Sequence, residues 1–298
     1  MAIFLILYTG YTVAQSIYNP KRYSLLESRK RETERTPDLV TAYDSWEKIP
    51  YTIETRNGYN LKAYYLPIEK HNHYSSDHFV VIAHGYTYTH YGSIKYASIF
   101  KELGYNVIFY DERFHGESGG KNCSLGYYEA QDLEDVITDT FTRFGSSIYL
   151  GTYGESMGGA TVLLEQQKES RLQFVIADSS FCDLTDLVTY LIKKKAHLPK
   201  WPFLGIANFF FRIATKITFS DISPIKAIKN AKVPVLLLHG SADEYIPPSH
   251  SRQLFDACPS VKQLYISTNP AKHVESFMLN RIEYTNTVKE FIGKLQDK

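Results

Sequence analysis

Ser156 sits in the stretch Gly154-Glu155-Ser156-Met157-Gly158, a GxSxG pattern that follows the apolar β-type run Ser147 to Leu150 and precedes the helix-compatible run Ala160 to Gln167. A serine on such a strand-to-helix turn is held at strained backbone angles, and residues without a Cβ at both ends of the turn let strand and helix approach. Its Oγ then stands clear of the sheet. The N–H of Met157, opening the helix, faces the place where negative charge develops on an attacked carbonyl oxygen. A hydroxyl is a poor nucleophile near neutral pH, so it needs a histidine to take its proton and a carboxylate to hold that histidine in one tautomer. His273 and Asp243 are the partners that the chain offers in an order known for this chemistry, serine first, acid second, histidine last. The five residues alone fit a Gly-rich turn with a surface serine equally well, so the surrounding elements have to decide.

Those elements alternate. Pro50 to Thr55 and Asn60 to Pro67 are β-type runs joined by the turn Arg56-Asn57-Gly58, a hairpin signal. Buried-strand runs follow at His78 to Ala83, Asn106 to Tyr110, Phe174 to Ala177, Val235 to Leu238 and Gln263 to Ser267, with helical patterns at Ile94 to Leu103 and Leu125 to Phe144. Such a rhythm predicts an α/β fold: a mostly parallel eight-stranded sheet with helices on both faces and an antiparallel start. Ser156, Asp243 and His273 each fall just past a strand, at the edge where open α/β sheets build their sites.

Other side chains compete for these roles. Asp178, after the sixth strand, is the second choice for the carboxylate, and Glu244 adjoins Asp243. His115 precedes the serine and reads as a turn histidine, while His84 and His239 stand before glycines at strand ends and read as loop ties. Asp111 and Arg113 read as loop organisers. His71 and His73, with His78 nearby, form an HxH pair in a polar stretch without a third ligand, so a solvated loop is expected and no metal.

With 298 residues and 44% apolar content, the chain can bury one large core. A formal charge of +1, with no basic motif, argues against nucleic acid and for a small-molecule partner. Cys123, Cys182 and Cys258 lie far apart and show neither zinc spacing nor a disulfide framework. Oligomeric state is not readable from these patterns.

Ala2 to Tyr18 is uncharged and opens on AIFLIL, then weakens, too short for a comfortable span and without a cationic start. It reads as a short anchor, an interfacial helix or a helix packed on the domain, and membrane association is the expectation, with the cytoplasm as the alternative location. The cations from Lys21 to Arg35 favour a cytoplasmic domain, though the side stays open. Residues 1–45 are therefore expected as an apolar segment and charged linker, the latter with a surface helix at Tyr23 to Glu34. Residues 46–298 are expected as the main domain. Between about 181 and 223 the β/α rhythm breaks into an insertion with Trp201, Phe203, Phe209, Phe210, Phe211 and Phe219, which reads as a helical cap. Its aromatics are expected to shape a substrate pocket, and its lysines to meet anionic lipid or substrate, or simply to be solvated.

From about residue 50 onward the chain resembles an α/β hydrolase. The matching landmarks are His84-Gly85-Tyr86 after the third strand, DERFHGESGG from Asp111, the serine turn, HGSADEYIP from His239 and His273 in AKHVESF. In style it is similar to bacterial membrane-anchored or cell-surface serine hydrolases of the esterase and lysophospholipase type. The resemblance implies a Ser156, Asp243, His273 triad, a second oxyanion donor from the Tyr86 N–H beside Met157, and no metal or organic cofactor. It implies hydrolysis of a carboxylic ester through an acyl-enzyme, with an amidase or peptidase, or a silent binding protein of the same fold, as alternatives.

Overall fold

The computed structural model describes residues 1–68 and 77–296. Its eight strands are β1 (Ile49–Glu54), β2 (Asn60–Leu66), β3 (His78–Ala83), β4 (Asn106–Tyr110), β5 (Tyr149–Glu155), β6 (Phe174–Asp178), β7 (Val235–His239) and β8 (Lys262–Ile266). They form one sheet in the order β1-β2-β4-β3-β5-β6-β7-β8. The hairpin β1/β2 and the pair β2/β4 are antiparallel, and all other neighbours run parallel. The expected eight strands and antiparallel edge are both present.

Side chains on a strand alternate between faces, so a strand covered on both sides must be apolar throughout. In β3, Phe79, Val81 and Ala83 enter one core while Val80 and Ile82 enter the other. The first core is closed by Leu133, Val136 and Ile137 of helix Tyr127–Phe144 and by Val162 and Leu163 of helix Met157–Glu165. The second is closed by Tyr96 and Phe100 of helix Ile94–Glu102 and by Tyr284 and Val288 of helix Arg281–Gln296.

Before the sheet come α1 (Ala2–Tyr18), α2 (Leu25–Arg35) and α3 (Pro37–Ser45). Residues 20–45, expected as a linker with one surface helix, thus carry two helices, and Leu39 and Tyr43 of α3 belong to the second core. The reason is local as well as tertiary: Ser24 and Glu27 make a reciprocal capping box that starts α2, and Pro37 opens α3. The insertion contains α4 (Leu184–Lys194) and α5 (Lys200–Thr215). Against α5 packs α1, whose Ala14 is fully buried in a third apolar cluster with Phe203, Ala207 and Phe211. Among the described residues no helix is long and apolar enough to cross a membrane. The HxH pair His71 and His73 lies outside the described residues.

Candidate active site

The sharp turn after β5 is what aims Ser156. Its φ is 56° and ψ −111°, a conformation that costs free energy and survives only where packing over-determines it. The two glycines make that packing feasible. A Cβ on Gly154 would lie 2.0 Å from the Gly158 carbonyl oxygen, and one on Gly158 would lie 2.2 Å from the carbonyl oxygen of Ala83 on β3. Ser156 is anchored from below by its own N–H, which donates to the Asp178 carbonyl oxygen at 2.7 Å.

His273 arrives from the loop after β8. Its Nε2 lies 2.9 Å from Ser156 Oγ, and its Nδ1 lies 2.6 Å from Asp243 Oδ2. Close approach of two loops sets this spacing. A Cβ on Gly240 would stand 2.4 Å from the Ala271 carbonyl oxygen, and the Ala242 N–H donates to that same oxygen at 2.9 Å. The next residue, Val274, holds φ at 56°, an uncommon backbone for a β-branched side chain and a mark of constraint beside the imidazole. The structure therefore brings together three side chains that lie 117 and 30 residues apart.

Asp243 is buried, and its other oxygen accepts the N–H groups of Tyr245 at 2.8 Å and Ile246 at 2.9 Å. Burial alone would raise this carboxyl. The imidazoles of His239 and His273 outweigh it and hold the group well below the usual carboxylate range, so Asp243 is an anion at neutral pH. Asp178 goes elsewhere. It accepts the hydroxyls of Tyr284 and Ser179, each at 2.8 Å, makes no hydrogen bond to His273, and burial with the neighbouring Glu155 carboxylate pushes it upward. Glu244 lies on the surface with Lys194 at 3.6 Å.

His84, His115 and His239 tie loops, as their positions before or within turns suggest. His84 Nδ1 donates to the Gly85 carbonyl oxygen at 2.8 Å while its Nε2 accepts the Glu112 N–H at 2.8 Å. His115 bonds the Arg113 carbonyl oxygen and the Thr87 N–H in the same way, and burial lowers it to about 3, so it stays neutral. His239 reaches the Ile246 carbonyl oxygen and the Ser251 hydroxyl, each at 2.7 Å. Asp111 binds the His90 N–H at 2.9 Å and the Glu117 N–H at 3.1 Å, fastening the turn that follows β4. Arg113 is buried between the rings of Tyr59 and Tyr128.

The N–H groups of Tyr86 and Met157 donate to no acceptor among the described residues. Met157 is the first residue of its helix, whose opening N–H groups have no partner within the helix. Beside Ser156 opens a cavity of about 230 Å³, walled mainly by aliphatic side chains that include Leu184, Leu187, Val188 and Leu191. The six cap aromatics named from sequence, Trp201 to Phe219, do not line it, contrary to expectation, although Phe181 at the start of the insertion does. Phe211 and Phe219 pack on each other at 4.8 Å in the interior, and Trp201 and Phe209 point outward. The pocket wall is instead the apolar stripe of α4, repeating every three or four residues as a helix face must.

Sequence reading missed what lies beneath the turn. Glu155 is buried in an ion pair with the equally buried Lys95 at 2.6 Å and accepts the hydroxyl of Tyr96. The only sequence signal was a carboxylate inside the GxSxG pattern, which spacing cannot pair with a lysine 60 residues earlier. Among the described residues no cluster of His, Cys, Asp and Glu is arranged to hold a metal ion. The three cysteines are free and buried.

Comparison with known proteins agrees with this architecture. The profile of the prolyl oligopeptidase family matches residues 92–297. An uncharacterized protein of Bacillus subtilis, YqkD, is 34% identical over 270 residues, covering 90% of this chain and 87% of its own length. Protein bem46 of Schizosaccharomyces pombe is 27% identical over 197 residues, covering 65% of this chain and 60% of its own. Among solved structures, the Pyrococcus furiosus esterase Pf2001 superposes with a TM-score of 0.68 at 23% identity, covering 87% of this chain and 93% of that one. The Pyrococcus horikoshii acylaminoacyl peptidase does so with a TM-score of 0.60 at 17% identity, over 83% of this chain and 41% of that one. With its eight-stranded sheet, its strained serine turn and a family match across most of its length, the chain belongs to the prolyl oligopeptidase family of α/β hydrolases.

Proposed function

We propose that this protein hydrolyses carboxylic esters through an acyl-enzyme on Ser156. The reading is carried by one observation, the unbroken line from Ser156 Oγ to His273 Nε2 at 2.9 Å and from His273 Nδ1 to Asp243 at 2.6 Å. In the first step His273 takes the Ser156 proton while Oγ attacks the ester carbonyl. The oxyanion forms within reach of the Tyr86 and Met157 N–H groups, each such donor typically contributing about 2.7 to 4 kcal/mol of transition-state stabilisation. The imidazolium, steadied by ionised Asp243, then protonates the departing alcohol. Water, deprotonated by the same imidazole, releases the acid and restores the serine. No step requires a cofactor.

The apolar cavity beside Ser156 favours an acyl group over a polar peptide side chain. A peptidase or amidase reading draws support from the family profile, and the two separate by rates on matched esters and amides. Ser156→Ala and His273→Ala should each lower p-nitrophenyl butyrate hydrolysis by several orders of magnitude. Retention of most activity by the serine variant would remove the reading. Contact with a lipid surface extends it: Ile3, Phe4, Leu5 and Leu7 of α1 are exposed, and the cap carries Lys193, Lys194, Lys195, Lys200, Arg212 and Lys216 with no acidic residue between Leu187 and Ser220.

A further inference from the structure

We propose that α1, which lies outside the sheet and its covering helices, is one wall of the acyl pocket and sets the length of acyl chain that Ser156 accepts. This deepens the ester-hydrolase reading and rests on it. The cavity beside Ser156 is lined by Leu187, Val188 and Leu191 of α4 together with Val13, Ser16 and Ile17 of α1. Val13 and Ile17 are four residues apart and so share a helix face. Without α1 the trough along α4 would open to solvent. With it, the trough gains a second apolar wall.

Contacts in the middle and at the C-terminal end of α1 seat it firmly enough to act as a wall. Gly10 lies so close to α5 that a Cβ there would come within 2.3 Å of Ile206 Cγ2, and Ala14, one turn on, is fully buried. At its C-terminal end, the last carbonyls of α1, which have no partner within the helix, are met by the catalytic loops. The Tyr86 hydroxyl donates to the carbonyl oxygens of Ser16 and Ile17, and the Cys123 N–H donates to that of Tyr18 at 2.9 Å. The residue whose N–H faces the oxyanion thus holds the wall with its own side chain.

The chemistry of the lining defines the substrate class. Among the described residues lining the cavity Lys195 is the one with a charged side chain, and it is exposed at the far end of α4. An uncharged aliphatic acyl chain fits; an acyl group with an ionised side branch near the carbonyl does not. The cavity of about 230 Å³ has room for a medium-length chain, on the order of eight methylenes at about the 30 Å³ that a water-sized group occupies in a liquid. Each methylene buried should raise kcat/KM roughly fourfold.

The test is the ratio of kcat/KM for p-nitrophenyl octanoate to that for the acetate, with melting temperature as the check on folding. Ile17→Phe, which adds bulk to the wall and takes the room of two or three methylenes, should lower that ratio by about 16- to 60-fold. Ile17→Ala, which cannot overpack, should move the preferred length in a series from acetate to dodecanoate toward longer chains. Ratios within twofold of the wild type in both variants would overturn the assignment of α1, as would a parallel loss on every chain length. If instead ester hydrolysis survives Ser156→Ala, the failure lies with the ester-hydrolase reading and not with the wall.

Discussion

Replacing Asp243 by asparagine deletes one charge and exchanges one oxygen for an amide nitrogen, and the structure dictates which oxygen is kept. Oδ1 accepts two backbone N–H groups, from Tyr245 and Ile246. An amide nitrogen turned toward them would leave both donors buried and unpaired, at about 1 to 3 kcal/mol each. The asparagine oxygen therefore stays there, and its NH2 faces His273 Nδ1, where Oδ2 now accepts at 2.6 Å. A donor opposite Nδ1 forces the imidazole proton onto Nε2, toward Ser156 Oγ, and the ring can no longer take the serine proton. For a wrong-tautomer triad the expected loss is about 10⁴-fold in kcat, or roughly 5.4 kcal/mol. The assay is p-nitrophenyl butyrate hydrolysis at neutral pH with a thermal melt on the same sample. Asp178→Asn is its partner experiment: that carboxyl meets tyrosine and serine hydroxyls instead of the imidazole, so its variant should lose less than about tenfold. An Asp243→Asn enzyme within tenfold of the wild type, or an Asp178→Asn enzyme crippled as severely, would refute the reasoning.

Lys95→Met leaves the Glu155 carboxylate buried without its cation, which should cost about 3 to 5 kcal/mol in urea denaturation; adding Glu155→Leu should recover most of it, and a single variant costing under 1 kcal/mol would count against the pair. Stability should peak near pH 5. Asp243 and Glu155 have folded pKa values below their unfolded ones, so their contribution is full above about pH 5 and fades as pH falls. Glu165 is buried and raised to about 8, so it binds its proton more tightly when folded, and stability declines as pH rises from about 4 toward 8. Glu165→Gln should flatten that upper limb, and a wild-type melting temperature climbing steadily from pH 5 to 8 would show the sign to be wrong. In co-sedimentation, vesicles containing phosphatidylglycerol should retain more protein than purely phosphatidylcholine vesicles, and Phe4→Ser with Leu7→Ser should release it; equal recovery with both lipids and both proteins would argue against a lipid surface.

What could be read from sequence was whatever repeats locally. Each strand was an apolar run bounded by turn residues, so Ser156, Asp243 and His273 could be placed past strand ends without knowing the strand order. The hairpin from Arg56 to Gly58 announced the antiparallel edge. Contacts between distant segments had no such signature. Nothing in its local sequence marks Gly240 out, although its missing Cβ is what admits the loop carrying His273. Nothing local pairs Lys95 with Glu155, 60 residues away, and only the fold buries them together. The cap misled by size: large aromatic side chains drew attention, whereas the stripe from Leu184 to Leu191 lines the cavity. Even such a stripe, once seen, does not say locally what a helix face will meet. The same holds for α1, whose uncharged sequence suits a lipid phase and a protein groove alike until Gly10 is seen against Ile206.

The most direct test is intact-mass and peptide analysis after exposure to a fluorophosphonate ester. A single adduct on Ser156 is expected, formed by the wild-type protein within minutes, absent from Ser156→Ala and slowed by orders of magnitude in His273→Ala. Labelling that is undiminished in Ser156→Ala, or a folded wild-type protein that takes up no label, would contradict the Ser156 mechanism.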